Sequence, residues 1–245
     1  MPKNFTKFLS LSIKLLFLLV CLPIDSKAQD LTKEFQIVNF NSISISTGIN
    51  VYLTQDSVEK ISVIGPEVLL NDMILVKEAS GNLKMEMNNY LLQNWKWGKN
   101  EPLKVLISFK NLNQISLNNS ASISSLNVLN FDNLCINLDD ASNSKFDLTA
   151  NNLTVNLNNG SDIRLLGSTI SLNIEASNGC NIKAFELTAN NVKAELTNGS
   201  DGEFNALYAL NVFANNKSDV QYIARKKMLT RFKSLDKSSI KKVKK

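Results

Sequence analysis

The chain has 245 residues, a formal net charge of +5, 44% hydrophobic residues and no histidine. The lack of histidine excludes Ser-His-Asp and Cys-His catalytic sites and removes the commonest metal ligand. Gly-rich phosphate loops and Cys-x-x-Cys pairs are also missing, so nucleotide hydrolysis and dithiol redox chemistry find no support.

Residues 1–28 carry the pattern of an export signal. Lys3 and Lys7 give a basic start, Leu15 to Leu22 (LLFLLVCL) form an uncharged apolar block, and Ser26-Lys27-Ala28 is a small-x-small cleavage site. That block is far short of the ~20 apolar residues of a membrane-crossing helix. No later stretch comes closer, so no transmembrane segment is expected in the mature chain. Val20 stands before Cys21 where a lipidation motif wants Gly, Ala or Ser.

Residues 29–110 read as irregular opening coils and a cap. Strands are expected at 35–40, 42–46, 49–53, 61–64, 83–87 and 103–109, with Thr47-Gly48, Gly65-Pro66 and Ser80-Gly81-Asn82 as turns. Between the last two strands, residues 88–102 (NNYLLQNWKWGKNEP) read as a loop. Its Tyr90, Trp95 and Trp97, flanked by Lys96 and Lys99, are candidate ligand-binding aromatics, because exposed rings stack on sugars and anchor partners. Their plainer role is to fold over an apolar end of the molecule as cap residues.

From residue 111 to 224 the sequence repeats. Polar corners fall at Ser120, Ala141, Gly160, Gly179, Gly199 and Lys217, at intervals of 21, 19, 19, 20 and 18 residues. Alternating runs precede the corners, such as Leu134-Cys-Ile136-Asn-Leu138 and Leu153-Thr-Val155-Asn-Leu157, and a second short strand follows each. Self-similarity at this period without helical spacing predicts an all-β fold, a single-stranded parallel β-helix with coils of 18–21 residues and right-handed winding. In such a stack equivalent residues form columns ~4.8 Å apart. One residue per corner needs positive φ, which accounts for Gly160, Gly179 and Gly199, with Asn158, Asn159, Asn178 and Asn198 bonding to neighbouring coils. The small residues after the corners, Ala121, Ser142, Ser161, Cys180, Ser200 and Ser218, mark a tight inward site, and Ile136, Val155, Ile174 and Ala194 form a core column. Cys135 should point outward and Cys180 lie two coils away, ~9.6 Å at that spacing. A disulfide needs Cα atoms within about 7 Å, so both thiols are expected to be free.

Residues 225–245 hold ten Lys/Arg and one acid, against 13 Lys/Arg and 20 Asp/Glu in residues 29–224. This basic segment, with a possible last strand within 232–243, reads either as a solvated end whose lysines oppose edge-to-edge pairing or as a contact for an anionic surface. Nucleic acid is not an expected partner of an exported chain without an aromatic-interleaved basic groove.

Residues 40–87 resemble the head GIN domain family. The resemblance rests on Gly48-Ile49-Asn50 before a strand, Ile61-Ser62-Val63, Leu69-Leu70, and Gly81-Asn82-Leu83 leading into a strand, with the Asn-Gly-Ser coils following. It implies an exported β-helical protein of Gram-negative bacteria, described as an auto-transporter adhesin, across residues 35–243. Ala224-Arg225-Lys226-Lys227 departs from the Gly-Asn-Pro that often precedes the final strand in such domains.

Chemistry finds little footing. Asp139, Asp140 and Asp162 with Arg164 are the candidates for a carbohydrate lyase or hydrolase, since paired carboxylates can serve as acid and base. Coils of 18–21 residues leave no loops to wall a catalytic groove, so these residues read as corner and strand-end groups. The oxygen-bearing column Ser122, Asn143, Asp162, Asn181, Asp201, Asp219 could in principle suit calcium, but neutral Asn alternates with Asp and no metal or cofactor is expected. The expectation is a non-catalytic exported envelope protein, located in the periplasm, on the outer membrane surface or outside the cell. A ladder of Asn, Asp and Ser would bind an envelope or host glycan or another surface protein; a carbohydrate-active enzyme and a purely structural envelope protein are the alternatives.

Overall fold

A computed structural model describes residues 30–88, 103–223, 225 and 227–243. The strands are β1 (Leu31–Phe35), β2 (Ser42–Ser46), β3 (Asn50–Gln55), β4 (Lys60–Gly65), β5 (Met73–Lys77), β6 (Asn82–Met87), β7 (Lys104–Phe109), β8 (Gln114–Asn118) and β9 (Ser122–Ser125). They continue as β10 (Leu129–Leu138), β11 (Asn143–Leu157), β12 (Asp162–Ala176), β13 (Asn181–Leu196), β14 (Asp201–Ala214), β15 (Asp219–Ile223), β16 (Leu229–Ser234) and β17 (Ser239–Val243). A single short helix, α1 (Glu67–Asp72), is present among the described residues.

From β8 onward the chain is a parallel β-solenoid in which successive coils pair strand on strand, with register shifts between β12 and β13 and between β13 and β14. The central core column runs Leu83, Ile43, Ile115, Ile136, Val155, Ile174, Ala194, Val212, Phe232 through these registers. Every member up to Val212 is buried. Each of the larger aliphatic side chains contributes roughly 1.5–3 kcal/mol by leaving water, and only stacking provides that burial.

Two features depart from the expectation of two short strands per coil and one strained corner residue. The long strands run through: β11 holds 15 residues, and its alternation is reset at Asn151 and Asn152, which both face out while pairing continues. Each corner uses two consecutive residues at positive φ: Asn119-Ser120, Asp140-Ala141, Asn159-Gly160, Asn178-Gly179, Asn198-Gly199 and Asn216-Lys217. Thr47-Gly48 and Asp236-Lys237 take the same conformation, so the column of corners is longer at both ends than the sequence repeat suggested.

Spatial order at the amino-terminal end differs from chain order. β2 and β3 lie between β8/β9 on one side and β6/β7 on the other, so the chain passes over its own first coil before the repeats begin. β4 then pairs antiparallel with β7, β1 with β4, and β5 with β6. Residues 36–40 are not part of a strand, β1 lies earlier at Leu31–Phe35, and neither β5 nor α1 was read from the sequence. Leu69 and Leu70 of α1 are buried and join the core cluster. At the other end, β16 and β17 form the last coil and pair with β14 and β15.

Candidate functional site

The corners are built from two sets of hydrogen bonds. In the backbone set, the second residue of each corner donates its N–H to the carbonyl of the first residue in the next coil: Gly160 to Asn178 at 2.9 Å, Gly179 to Asn198 at 3.0 Å, and Gly199 to Asn216 at 2.9 Å. In the side-chain set, Asn178 Nδ2 donates to Asn158 Oδ1 at 2.8 Å, Asn198 Nδ2 to Asn178 Oδ1 at 3.0 Å, and Asn216 Nδ2 to Asn198 Oδ1 at 2.8 Å. Asn tolerates the left-handed conformation and offers both a donor and an acceptor, so stacked copies satisfy each other. The named corner residues Asn158, Asn159, Gly160, Asn178, Gly179, Asn198 and Gly199 thus bond coil to coil, and Asn158 also lines a trough on the outer surface.

Just inside the corners, Ala121, Ser142, Ser161, Cys180, Ser200 and Ser218 are essentially fully buried. Ser200 Oγ accepts from the Cys180 N–H at 3.2 Å and donates to Thr197 O at 2.9 Å. Cys180 and Cys135 are both free thiols. Burial pushes the Cys180 thiol up, against the opposing effect of backbone hydrogen bonds from Ser161 and Gly160.

Beside the corners, on the outer surface, lies a trough of about 690 Å³. One wall is the outward column Ser44, Ser116, Asn137, Asn156, Glu175 and Glu195, and Lys84 joins it on the outermost coil. The other wall is Ser46, Asn118, Asp139, Asn158, Ser177 and Thr197. The trough crosses seven strands, from β6 to β13, a length of about 29 Å at ~4.8 Å per strand. Within the first wall Asn156 Nδ2 donates to Asn137 Oδ1 at 2.8 Å, and Asn137 Nδ2 to Ser116 Oγ at 3.3 Å. Glu175 and Glu195 stand in register on adjacent coils, and neither makes an ion pair or side-chain hydrogen bond with a described residue. Lys84, at the far end, pairs with Glu86 at 2.9 Å. Past Glu195 the same column continues to Phe213 and Lys233, whose Nζ lies 5.4 Å from the Phe213 ring centroid.

Of the carboxylates considered for catalysis, Asp139 and Asp140 bond within the corners, whereas the Asp162 side chain makes no hydrogen bond or ion pair among the described residues. Asp139 and Asp140 both accept from Asn159 Nδ2, at 3.0 and 3.1 Å, and Asp139 also caps the N–H of Asp140 at 2.9 Å. Arg164 is engaged by Glu186, one strand over. The oxygen-bearing column does align in register from Ser122 to Asp219. Side-chain bonds along the stack occur toward its ends, Ser122 Oγ donating to Asn50 Oδ1 at 2.5 Å, Asp219 N–H to Asp201 Oδ1 at 3.2 Å, and Ser239 Oγ to Asp219 Oδ1 at 2.5 Å. No group of three or more His, Cys, Asp or Glu positioned to hold a metal occurs among the described residues. No helix among the described residues is long and apolar enough to cross a membrane.

Tyr90, Trp95 and Trp97 lie outside the described residues, as does the signal-like segment 1–28. Residues 88–103 join β6 to β7, whose ends stand beside β2 and β3 on either side of the Thr47-Gly48 corner. The trough's outermost strand is β6, which it meets at Lys84 and Met85, in the middle of the strand. Sequence reading missed the trough itself. Its signal was the outward position two residues before each corner's polar group, where Ser, Asn, Asn, Glu, Glu recur in successive repeats.

Among solved structures, the chain resembles an adhesin candidate from Bacteroides fragilis NCTC 9343, with 23% identity, a TM-score of 0.74, and coverage of 89% of this chain and 98% of that one. A structure from Parabacteroides distasonis ATCC 8503, described as a "Putative lipid binding protein", matches at 17% identity and a TM-score of 0.67 over the same shares. An adhesin candidate from Parabacteroides merdae ATCC 43184 matches at 18% identity and a TM-score of 0.63, again over 89% and 98%. At these identities the likeness establishes the shared fold alone. A search of curated proteins finds no match. The family model described as "Putative auto-transporter adhesin, head GIN domain" matches residues 39–225, with Gly48 and Asn50 of the GIN tripeptide placed at the first corner of the column and at the start of β3, and the chain belongs to that family.

Proposed function

We propose that this protein is an exported, non-catalytic binding module that holds an extended, hydroxyl-rich polymer, a glycan chain, in the trough beside its corners. The observation that carries this reading is the trough's lining: hydroxyl, amide and carboxylate groups in register across seven strands, with Ile45, Met85, Leu117, Leu138, Leu157 and Ala176 lining it between them, ending on two carboxylates without partners among the described residues. Carboxylates that already lack a cation are strong acceptors for hydroxyl groups. Stacked amides present further donors and acceptors at a spacing set by the backbone, so the surface is organised before the ligand arrives and little ordering entropy is lost on binding. The family's adhesin description, shared by two of the structural neighbours, supports attachment to a surface rather than turnover. Residues 1–28 support export, to the periplasm, the outer membrane surface or the medium.

A glycan array followed by titration of the best hit tests the proposal. Glu175→Gln with Glu195→Gln is expected to weaken binding roughly tenfold or more, since each bond to a charged group is worth ~1.5–3 kcal/mol. Unchanged affinity in that double variant, or no glycan bound by the wild type, overturns the reading. Trp95→Ala and Trp97→Ala form a separate arm, which asks whether the 88–102 segment contributes to the same ligand. Release of new sugar ends by the wild type would instead establish a carbohydrate-active enzyme, with Asp139→Asn and Asp162→Asn as its first variants.

A further inference from the structure

The last coil differs from every other coil in both charge and exposure. It carries Arg225, Lys227, Arg231, Lys233, Lys237, Lys241 and Lys242 against one acid, Asp236. None of these cations makes an ion pair among the described residues; Arg225 bonds to the Asn205 side chain at 3.0 Å and Lys233 rests on Phe213. β16 pairs only with β14, and β17 only with β15, among the described residues, so the outer edge of this coil is unpaired there. All six residues of β16 are exposed, Leu229 is 75% exposed, and Phe232 and Leu235 remain accessible although Phe232 packs on Tyr222 at 5.1 Å.

Charge alone would suit an end that needs only to resist sticking to other strand edges. Exposed Leu229, Phe232 and Leu235 work against that role, because apolar groups on an open edge promote association. A soluble polyanion would be met by the cations and would gain nothing from leucine. Cations and apolar side chains together at one end are the combination that binds an anionic lipid surface, with charge drawing the protein down and apolar groups entering the headgroup boundary.

Geometry fits the same partner. A single terminal coil places its side chains near one plane, so all of them can meet a flat surface together. The acidic body, with 20 Asp/Glu against 13 Lys/Arg in residues 29–224, stacks away from that plane. The Debye length is about 8 Å at physiological salt, less than two coils, so most of the body's repulsion is screened.

We infer that the carboxy-terminal coil docks end-on to an anionic lipid bilayer and stands the solenoid upright on it, leaving the trough free along its side. The experiment is co-sedimentation of the mature chain, residues 29–245, with vesicles of phosphatidylcholine containing one-third phosphatidylglycerol, and with pure phosphatidylcholine. Binding is expected to the first and not the second, and to weaken strongly at about 1 M salt, where the Debye length falls to ~3 Å. Each cation near the surface contributes roughly fivefold. The triple variant Arg231→Glu, Lys237→Glu, Lys241→Glu should therefore lower partitioning by about a hundredfold or more, while Lys145→Glu, Lys183→Glu, Lys193→Glu on the body should leave it intact. Leu229→Ser with Leu235→Ser should lower it about tenfold, with the melting temperature kept, since both side chains already face solvent. Equal binding to neutral vesicles, no binding to anionic ones, or insensitivity to the triple reversal would each overturn the inference. Full binding by the leucine double variant, together with equal affinity for soluble polyphosphate, would mark a polyanion site and overturn it too. Glycan affinity read on the same variants separates this end from the trough: the end variants should keep it.

Discussion

Replacing Gly167 with alanine should damage this fold more than any change at a corner glycine. Gly167 sits in β12 at φ +102, and a Cβ there would stand 2.1 Å from the Leu148 carbonyl oxygen and 3.0 Å from its carbon. Leu148 is its register partner in β11, and Leu187 of β13 flanks it on the other side, so neither backbone can retreat without loosening a ladder. A side chain held in that region of φ costs about 1–3 kcal/mol. Forcing an atom into a packed position costs about 1–3 kcal/mol more, which together predicts a loss of ~2–6 kcal/mol. Gly160→Ala is the control. A Cβ there meets nothing within 4 Å, φ is +71, and Ala141 holds the equivalent site one coil earlier at φ 58. Its loss should be the left-handed conformational term alone, about 1 kcal/mol. Guanidinium unfolding followed by two probes measures both variants, the second probe checking that the stack melts as one unit. Equal losses at the two glycines, or a loss at Gly167 below about 1 kcal/mol, would refute the argument from close backbone approach.

The buried column inside the corners supplies a pair of opposite effects. Ser161 Oγ is buried without a hydrogen-bond partner, whereas Ser142 Oγ donates to Asp139 O at 2.6 Å. Ser161→Ala should therefore leave stability unchanged or raise it by about 1 kcal/mol, and Ser142→Ala should lower it by about 1 kcal/mol, as read from denaturant midpoints. The two thiols should differ in reactivity: a thiol reagent should modify half-buried Cys135 in the native state and reach Cys180 only on unfolding. Because burial holds the Cys180 thiol above its unfolded value, its contribution is complete below about pH 8.5 and falls as pH rises from there. Cys180→Ser, which copies the residue at its column neighbours, should flatten that alkaline decline in melting temperature.

The repeats were legible because their physics is local and periodic. Alternation identified Ile136, Val155 and Ile174 as one inward column, and the polar punctuation at Gly160, Gly179 and Gly199 marked the corners at their true positions. What escaped was whatever depends on which strand lies beside which. β2 and β3 read as the first coil, yet β6 and β7 stack outside them, a rearrangement that leaves no trace in hydrophobic period. β4 carries apolar residues at alternate positions, a period that does not specify strand direction, and it pairs antiparallel. Residues 67–72 offered only six positions, too few for a helical pattern to show, and α1 forms because Leu69 and Leu70 find the core cluster at that end. At each corner the first positive-φ residue, Asn119, Asp140, Asn159, Asn178, Asn198 or Asn216, went unread because one strained residue per turn was expected and Gly accounted for it in three coils.

The candidate site was hidden for a different reason, which bears on how such a protein can change its ligand. Stability here resides in inward columns and in the corners, both closed to solvent or saturated by stacked hydrogen bonds. The outward positions that line the trough alternate with the core residues and project from the opposite face of each strand. Ser116, Asn137, Asn156, Glu175 and Glu195 occupy the same place on five coils with three different side-chain chemistries, while their inward neighbours Leu117, Leu138, Leu157, Ala176 and Leu196 stay apolar. A substitution in the outward column is thus decoupled from folding by the strand's period of two, and recognition can be rewritten one coil at a time without reopening the core. The same separation predicts that Glu175→Gln and Glu195→Gln leave the melting temperature within about 2 °C of the wild type, the shift expected for a surface change of ~0.5 kcal/mol in a chain of this size. A larger drop would mean that the unpartnered carboxylates hold the coils together, and the trough would lose its standing as a surface set aside for a ligand.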